Sequence, residues 1–318
     1  MANSSEYENS TSATDVTLWN AYSTSMAIIL AGINIFLAIT ASLGNALILI
    51  ALHKVTSIFP PTKLLFRCLA VTDLLVGLIS QPLYVVTILF PEFTAWNVNV
   101  AITRAADFFF SLLPAVSLLI SAAISVDRLL ALLLGLRYRH IVTLRRVWVV
   151  LVCFWLISAL QATGSVCSDK CPKLDTIADT LCSPLLMLSL LVSVFSYAKI
   201  FKTLRYRQVQ VHGNSQQGQR PNGGGNQLNI ARYKKTVYSI AWVQLALLIC
   251  YFPYNLIAFL ALFRKLPSST KVYVYLPWES FVTLLYLNSS LNPALYCWSI
   301  RDVKQEVKNI IRKVFRCF

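Results

Sequence analysis

Near the end of the sequence, three polar side chains recur one helical turn apart within an apolar run. Asn288, Asn292 and Tyr296 stand at positions i, i+4 and i+8, so they share one face of a helix. Pro293 removes a backbone hydrogen bond from that helix and kinks it. A kinked helix with a polar face indicates a moving part or a polar cavity.

Polar residues inside other apolar runs are candidates to meet this face. A charge inside an apolar run is costly, and Asp73 lies deep in the second run, while Ser117 lies in the middle of the third. With Asn288, Ser289 and Asn292 they supply carboxylate, hydroxyl and amide oxygens, which suit a small cation or water. The alternative is a neutral, protonated Asp73 in a water-filled hydrogen-bond network, and the two states could alternate.

Asp127 and Arg128 end the third apolar run. Arg128 follows about twenty uninterrupted apolar or small residues, so it is held near membrane depth, where Asp127 is its nearest partner. The sixth run contains a second kinking proline, Pro253, beside Tyr251, and Tyr197 precedes the basic end of the fifth run. A helix hinge, a buried ion site and a paired arginine are more consistent with a protein that switches between two conformations than with a fixed pore.

The elements that position these residues follow from composition. The 318 residues are 57% hydrophobic and 13% charged, whereas soluble domains are about 25% charged. Seven apolar segments exceed the roughly 20 residues that a membrane helix needs, and in lipid the backbone satisfies its own hydrogen bonds as a helix. The sequence predicts an all-α membrane protein, a seven-transmembrane helix bundle with spans at about 24–52, 62–89, 99–134, 147–166, 178–204, 232–263 and 272–299.

The basic residues orient this bundle with the N-terminus outside. In that orientation 22 of the 28 Lys and Arg residues fall on the inner side, as the positive-inside rule requires. The polar tail of residues 1–23 is then extracellular, where Asn3 and Asn9 stand in glycosylation tripeptides. The lipid bilayer thus explains the net charge of +15, and nucleic acid is not needed as a partner.

Two cytoplasmic segments accompany the seven-transmembrane bundle of residues 24–299. A flexible loop rich in Gln, Gly and Asn is predicted at about 206–229, between spans five and six. Residues 300–318 alternate apolar and basic side chains at helical spacing, which predicts a short amphipathic helix on the inner leaflet. Cys317 there is either a lipidation site or an ordinary free thiol.

With these spans assigned, the sequence resembles a rhodopsin-like (class A) G-protein-coupled receptor from about Met26 to Phe315. Each motif is weak alone, but together they stand in the right spans and order. The motifs are Gly44-Asn45, Leu69-Ala-Val-Thr-Asp73, Asp127-Arg128-Leu129, Trp155, Pro253 and Asn292-Pro293-Ala294-Leu295-Tyr296. The resemblance implies a multi-pass plasma-membrane receptor that binds an extracellular ligand and activates heterotrimeric G proteins.

The resemblance also implies roles for the candidate residues. A sodium pocket that favours the resting state, with sodium as an allosteric modulator, would be formed by Asp73, Ser117, Asn288, Ser289 and Asn292. Asp127 would cage Arg128, which would meet the G protein after activation. Tyr197 and Tyr296 would swing inward to support Arg128, and Pro253 would be the hinge for the opening of span six.

The sequence departs from the family at several positions. Leu129 and Tyr251 replace a usual tyrosine and a usual tryptophan, and Thr103 stands near the usual cysteine of span three. The usual disulfide from span three is therefore not expected, and three pairings stay open among Cys167, Cys171 and Cys182. The inner end of span six, at 232–235, has no acidic residue, so we predict a resting state held mainly by Asp127 and the sodium pocket, with appreciable basal activity.

By the same resemblance, a ligand pocket lies between the outer halves of spans three, five, six and seven. Its candidate residues are Asp107, Phe110, Ser111, Pro114, Tyr251, Tyr254, Asn255, Glu279, Val282 and Tyr286. For each aromatic residue, core packing is the alternative. Some departures look like the melanocortin group, whose cluster includes adenosine receptors, but the subfamily stays open. One hypothesis is a cationic or peptide ligand that meets Asp107 or Glu279.

Two other functions compete with the receptor. A transporter or channel could use Asp73 in an ion path, but the chain shows no internal repeat, and Asp127-Arg128 ends span three. An intramembrane hydrolase would need a base, and all three histidines fall at or outside the cytoplasmic ends of the spans. We therefore predict a protein that is not an enzyme.

Overall fold

The structure is a computed structural model that describes residues 3–90, 100–167, 171–216, 249–253, 255–256 and 271–316. Nearly all of these residues are helical. The helices are α1 (Asn3–Lys54), α2 (Pro60–Leu75), α3 (Gln81–Leu89), α4 (Val100–Leu134), α5 (Tyr138–Ile141), α6 (Leu144–Val166), α7 (Pro172–Gln216), α8 (Lys271–Ser299) and α9 (Arg301–Arg316). A π-helical turn, Val76–Ser80, joins α2 to α3, and a 3₁₀ turn, Gly135–Arg137, joins α4 to α5.

Apolar helices lie at the predicted spans. Within the part of the chain that the structure describes, 5 stretches are long and apolar enough to cross a membrane: Thr24–Lys54, Pro60–Leu89, Val100–Ile141, Leu144–Val166 and Thr180–Tyr206. They correspond to the first five predicted spans, and α8 corresponds to the seventh. Most of the sixth predicted span lies outside the described residues, apart from the helical segment 249–253 and residues 255–256.

Two helices extend beyond the predicted spans. α1 begins at Asn3, so the backbone of the predicted N-terminal tail is helical and continuous with span one. α7 runs to Gln216, so the first residues of the loop predicted at about 206–229 are helical as well. Arg and Gln are good helix formers, and the helix continues past them through the less favourable Gly213 and Asn214.

Local sequence signals start and stop several helices. Pro60 occupies the first turn of α2, where its missing N–H costs nothing. The Thr143 side chain caps α6 by accepting the backbone N–H of Arg146 at 3.4 Å. Gly135, with φ +53°, takes the left-handed conformation that ends α4. The chain therefore turns sharply at the inner end of span three.

The outward faces of the helices carry large apolar side chains, as contact with lipid tails requires. Examples with more than half of the side chain exposed are Ile28, Phe36, Leu43, Leu156, Leu191 and Phe195. The inward faces of the same helices hold buried polar residues such as Asn34, Asn45, Ser158 and Ser193. This inside-out distribution agrees with a bundle that spans a membrane.

Two glycines allow neighbouring spans to approach closely. A Cβ atom at Gly77 would lie 2.6 Å from the Ser42 Oγ and 2.9 Å from the Ala38 carbonyl oxygen, both of which belong to α1. A Cβ atom at Gly44 would lie 2.8 Å from the Cγ of Pro293 in α8. Small residues at helix contacts let membrane helices pack tightly, so α1 is held against both the π-helical turn of span two and α8.

The C-terminal helix α9 occupies the stretch predicted to be amphipathic. Its Val303 and Val307 are buried in the same core cluster as Phe66 and Tyr296. On its polar side, Lys54 lies 3.2 Å from Glu306, and a hydrogen bond from Lys54 lowers the pKa of the Glu306 carboxyl. The Ser57 hydroxyl donates to Asp302. These contacts fix α9 against the inner end of α1, and the lipidation candidate Cys317 lies outside the described residues.

Candidate functional site

The first candidate site surrounds Asp73, which is completely buried near the end of α2. The Asn292 Nδ2 of α8 donates to Asp73 Oδ2 at 2.6 Å, and the Ser117 hydroxyl of α4 donates to Asp73 Oδ1 at 3.0 Å. The Ser289 hydroxyl is close enough to interact with the same carboxylate. One carboxylate therefore connects spans two, three and seven.

Two asparagines complete this polar cluster. The Asn45 Nδ2 of α1 donates to the carbonyl oxygens of Ser289, at 3.0 Å, and Ala41, at 2.8 Å. Asn288 is 1% exposed, and its amide nitrogen has no hydrogen-bond partner among the described residues. The carboxylate and hydroxyl oxygens at Asp73 form a hard-oxygen donor set that fits sodium. Nowhere in the described ranges do three or more His, Cys, Asp and Glu side chains form a metal-binding group.

The second candidate site holds Asp127 at the inner end of α4. The Tyr138 hydroxyl donates to Asp127 Oδ1 at 2.6 Å, and the Thr62 hydroxyl donates to Asp127 Oδ2 at 3.0 Å. The two hydroxyls also lie 3.0 Å from each other. The Arg128 Nη2 lies 3.5 Å from Asp127 Oδ2. We call this group of four residues the Asp127 clasp.

Arg128 has a second neighbour, which the sequence did not suggest. Its guanidinium carbon lies over the ring of Phe66, 5.2 Å from the ring centroid. The ring of Tyr296 meets the same phenylalanine edge to face, with centroids 5.2 Å apart and an interplanar angle of 69°. Phe66 is 6% exposed. One buried ring therefore contacts both the arginine of span three and the tyrosine of span seven.

Thr62, Phe66 and Tyr138 are the residues of this region that sequence reasoning missed. For Thr62 and Phe66 the sequence held a weak signal in the helical spacing. Phe66 precedes Asp73 by two helical turns on the same face of α2, and Thr62 precedes Phe66 by one turn. Helical spacing gave no signal for Tyr138, because Tyr138 follows the turn at Gly135. Its contact with Asp127 arises only in the folded chain.

The remaining coupling candidates are placed as follows. Tyr197 of α7 packs against Leu132 and Ile200, next to the inner end of α4. The Tyr251 hydroxyl donates to the carbonyl oxygen of Pro114 at 3.3 Å, which joins the described part of span six to span three. Pro253 lies in the helical segment 249–253. Their proposed motions stay predictions.

A cavity of about 50 Å³ lies between the outer halves of spans three, four, five, six and seven. Five predicted ligand-pocket residues line it: Phe110, Ser111, Pro114, Tyr251 and Asn255. Gln161 of α6 also lines it, and the Oε1 atom of Gln161 has no partner within the described part of the chain. Sequence reasoning missed Gln161 because it placed no part of the pocket on span four.

The other predicted pocket residues lie elsewhere. Tyr286 donates to or accepts from Ser80 at 2.9 Å, and it packs with Val282 in a buried apolar cluster. The Tyr84 hydroxyl donates to the Glu279 carboxylate. These residues form a second group between spans two and seven, which meets the cavity wall where the Tyr286 ring packs edge to face on Phe110, with centroids 6.2 Å apart. Asp107 is exposed one helical turn outward from Ser111, and Tyr254 lies outside the described residues.

The cysteines of the second outer loop are not joined to each other at the described positions. Cys167 and Cys171 carry free thiols, and Cys182 is buried with its thiol 3.8 Å from the carbonyl oxygen of Ile157. Span three carries Thr103 where a cysteine was sought, so no bridge can start there. The pairing within the loop stays a prediction, as does glycosylation at Asn3 and Asn9, whose side chains lie outside the described part of the chain.

The described helices form a bundle of apolar spans around a buried carboxylate, with an Asp-Arg pair at its inner end. The family model described as 7 transmembrane receptor (rhodopsin family) matches residues 44–296, and the chain belongs to this family.

Curated relatives agree with this assignment. The mouse (Mus musculus) trace amine-associated receptor 9 is 25% identical over 88% of this chain and 83% of its own length. The high-affinity lysophosphatidic acid receptor of Xenopus laevis is 26% identical over 93% of the chain and 85% of its own length. Sheep (Ovis aries) adenosine receptor A3 is 25% identical over 90% of each chain.

The family membership confirms several predictions made from the sequence. The seven-helix fold, the receptor class and the multi-pass location in the plasma membrane are confirmed. Members of this family bind extracellular ligands and signal through G proteins, and they are receptors rather than enzymes.

Proposed function

We propose that this chain is a receptor in which an extracellular ligand drives the opening of span six, which admits a heterotrimeric G protein to Arg128. The family supports the general activity. The single observation that carries the proposal for the G-protein side is the Asp127 clasp. Arg128 is held by Asp127, and Asp127 is itself fixed by the hydroxyls of Tyr138 and Thr62.

The clasp explains how the resting state is held and released. Asp127 is 4% exposed, so its charge is stabilised by the Tyr138 and Thr62 hydroxyls rather than by water. Arg128 meets it at 3.5 Å, which is longer than a strong ion pair, and the Arg128 side chain is 31% exposed. When Arg128 leaves, the buried Asp127 carboxylate still accepts hydrogen bonds from the Tyr138 and Thr62 hydroxyls, which lowers the cost of breaking the ion pair.

Replacing Asp127 with asparagine is expected to raise ligand-free nucleotide exchange by roughly three- to tenfold, because the loss of one weakly held ion pair frees Arg128. The measurement uses purified receptor in lipid nanodiscs with purified G proteins from each Gα class. Asp302→Asn is the control, because Asp302 is an inner carboxylate that contacts Ser57 and not Arg128. Unchanged exchange for Asp127→Asn with every G protein, at equal amounts of folded receptor, contradicts the proposal.

The cluster at Asp73 supports a second element of the proposal, a sodium ion that favours the resting state. Asp73, Ser117 and Ser289 would hold the ion, which when bound supplies a positive charge beside the buried carboxylate. Asn292 already binds the same carboxylate through its amide, one turn before Tyr296. A neutral Asp73 in a hydrated network is the alternative, and it predicts no sodium dependence.

Sodium chloride is expected to raise the unfolding temperature of the receptor relative to choline chloride, and Asp73→Asn abolishes the difference. An ion at ten times its dissociation constant stabilises the folded state by about 1.4 kcal/mol. Ser290→Ala is the matched control, because Ser290 donates to the Leu37 carbonyl oxygen and does not reach Asp73. Equal unfolding temperatures of the parent receptor in both salts would remove sodium from the proposal.

The ligand site is proposed at the cavity beneath Asp107. Its polar wall consists of Ser111, Gln161 and Asn255, and the Gln161 Oε1 offers an acceptor to a ligand that carries an N–H or O–H group. The names of the three relatives refer to trace amines, lysophosphatidic acid and adenosine, which differ in charge and size. They do not select one ligand chemistry for this chain.

A further inference from the structure

Phe66 stands between the two residues that the proposed activation would move. Its ring face lies under the Arg128 guanidinium at 5.2 Å, and its ring contacts the Tyr296 ring at the same centroid distance of 5.2 Å. Phe66 is 6% exposed and Tyr296 is 7% exposed, so the contact is shielded from water. A guanidinium over an aromatic face is attracted by the negative charge of the π-system, and the attraction grows when the pair is desolvated.

The ion pair alone is a weak hold on Arg128. Asp127 Oδ2 already accepts a hydrogen bond from Thr62 at 3.0 Å, and Arg128 approaches this oxygen only to 3.5 Å. The sequence at the inner end of span six, Arg232-Tyr233-Lys234-Lys235, offers no acid as a further partner. The face of Phe66 is a contact for the guanidinium that needs neither another carboxylate nor water.

We propose that Phe66 is a positioning residue that holds Arg128 in the resting state and links its release to Tyr296. This inference rests on the proposed function, because it concerns how the same arginine is kept from the G protein. The ring has one face for the cation and one contact for Tyr296. An inward swing of Tyr296 would therefore remove the edge contact that holds the Phe66 ring under the guanidinium. Tyr296 follows Asn292 by one turn of α8, so Phe66 connects the Asp73 cluster to Arg128.

Plain core packing is the competing explanation, since Phe66 also belongs to the large buried apolar cluster. The two explanations differ in what a substitution must preserve. Packing requires volume and an apolar surface, both of which leucine largely keeps. A cation–π contact requires an aromatic face, which tyrosine keeps and leucine removes. Phe109→Leu provides the same chemical change in the outer half of span three, where Phe109 packs on Phe108 and not on Arg128.

The first experiment measures ligand-free nucleotide exchange for the parent, Phe66→Leu, Phe66→Tyr and Phe109→Leu receptors. Phe66→Leu is expected to raise exchange about three- to tenfold, while Phe66→Tyr and Phe109→Leu stay within about twofold of the parent. The inference is overturned if Phe66→Leu matches the parent although Asp127→Asn raises exchange. It is equally overturned if Phe66→Tyr raises exchange as much as Phe66→Leu, because then volume and not the aromatic face matters.

The second experiment needs no G protein, so it remains decisive if the proposed signalling fails. Unfolding temperatures are measured for the parent, Phe66→Leu, Arg128→Gln and the double variant, all in one salt. If the guanidinium lies on the ring, Phe66→Leu lowers the unfolding temperature by about 2–4 °C less when Arg128 is already glutamine. Additive effects of the two substitutions would refute the contact, whatever the receptor does to nucleotide exchange.

Discussion

A receptor in which glutamine replaces Arg128 is expected to leave nucleotide exchange at the rate seen without receptor, a loss of more than about tenfold. Arg128 is the guanidinium that the clasp and Phe66 hold at the inner end of span three. Glutamine keeps much of the length and can donate hydrogen bonds, but it carries no charge. The resting contacts are weak, so their loss costs little stability, whereas the charge-assisted contacts to a G protein are lost completely.

The loss is measured by introducing Arg128→Gln into the Asp127→Asn receptor. The expected ligand-free nucleotide exchange of Asp127→Asn is higher than that of the parent, so its loss is easier to detect. Arg67→Gln is the matched control: Arg67 is another inner arginine, and its guanidinium only reaches the Leu52 carbonyl oxygen at 3.4 Å. A cooperative thermal unfolding transition checks that Arg128→Gln is folded. If the doubly substituted receptor kept half or more of the exchange of Asp127→Asn, Arg128 would not be the coupling residue.

Gly77→Ala is expected to destabilise the folded receptor by about 1–3 kcal/mol, which is the usual cost of forcing a methyl group into packed structure. The new Cβ would lie 2.9 Å from the Ala38 carbonyl oxygen, which is backbone and cannot turn aside, and 2.6 Å from the Ser42 Oγ. α1 and the π-helical turn of span two must then separate, which disturbs the contact close to Asp73.

Gly32→Ala in the same bundle is the control, because a Cβ there meets nothing within 4 Å. Alanine is the better helix former by about 1 kcal/mol, so this substitution should be neutral or stabilising. Thermal unfolding in nanodiscs and surface expression in cells measure both variants. Opposite signs for the two glycines are expected, and equal unfolding temperatures would contradict the close approach of α1 and the π-helical turn of span two.

For the first five spans and the seventh, the described helices lie where the sequence predicted them, because each apolar run is at least about as long as the membrane requires and its position depends on composition rather than on contacts. It predicted less well where helices end. α7 continues to Gln216 through a polar stretch that includes Gly213, and hydropathy carries no information about such an extension.

The Asp73 cluster was predictable, since its members are polar residues in apolar runs and Asn288 and Asn292 share a helix face. The Asp127 clasp was only half predictable. Asp127 and Arg128 are adjacent in the chain, but Tyr138 reaches Asp127 because Gly135 adopts φ +53° and turns the chain back under α4. Such a contact depends on the path of a turn, which residue spacing along a helix does not encode.

The residues predicted for one ligand pocket fall into two groups, and here too the difference comes from a local turn in the chain that residue spacing did not predict. Phe110, Ser111 and Asn255 line the cavity, whereas Glu279 and Tyr286 are engaged by Tyr84 and Ser80 of the second span. Those partners lie at and beyond the π-helical turn, which the sequence did not predict. The outer half of span two was therefore not expected to reach span seven.

The π-helical turn Val76–Ser80 also affects how this chain can be compared with its relatives. It places one additional residue in the second span, and each residue of an α-helix corresponds to about 100° of rotation. A receptor without that residue would present different side chains beyond the turn, although its residues around Asp73 would superpose. An alignment drawn through span two without a gap would therefore assign Ser80 and Tyr84 to the wrong counterparts.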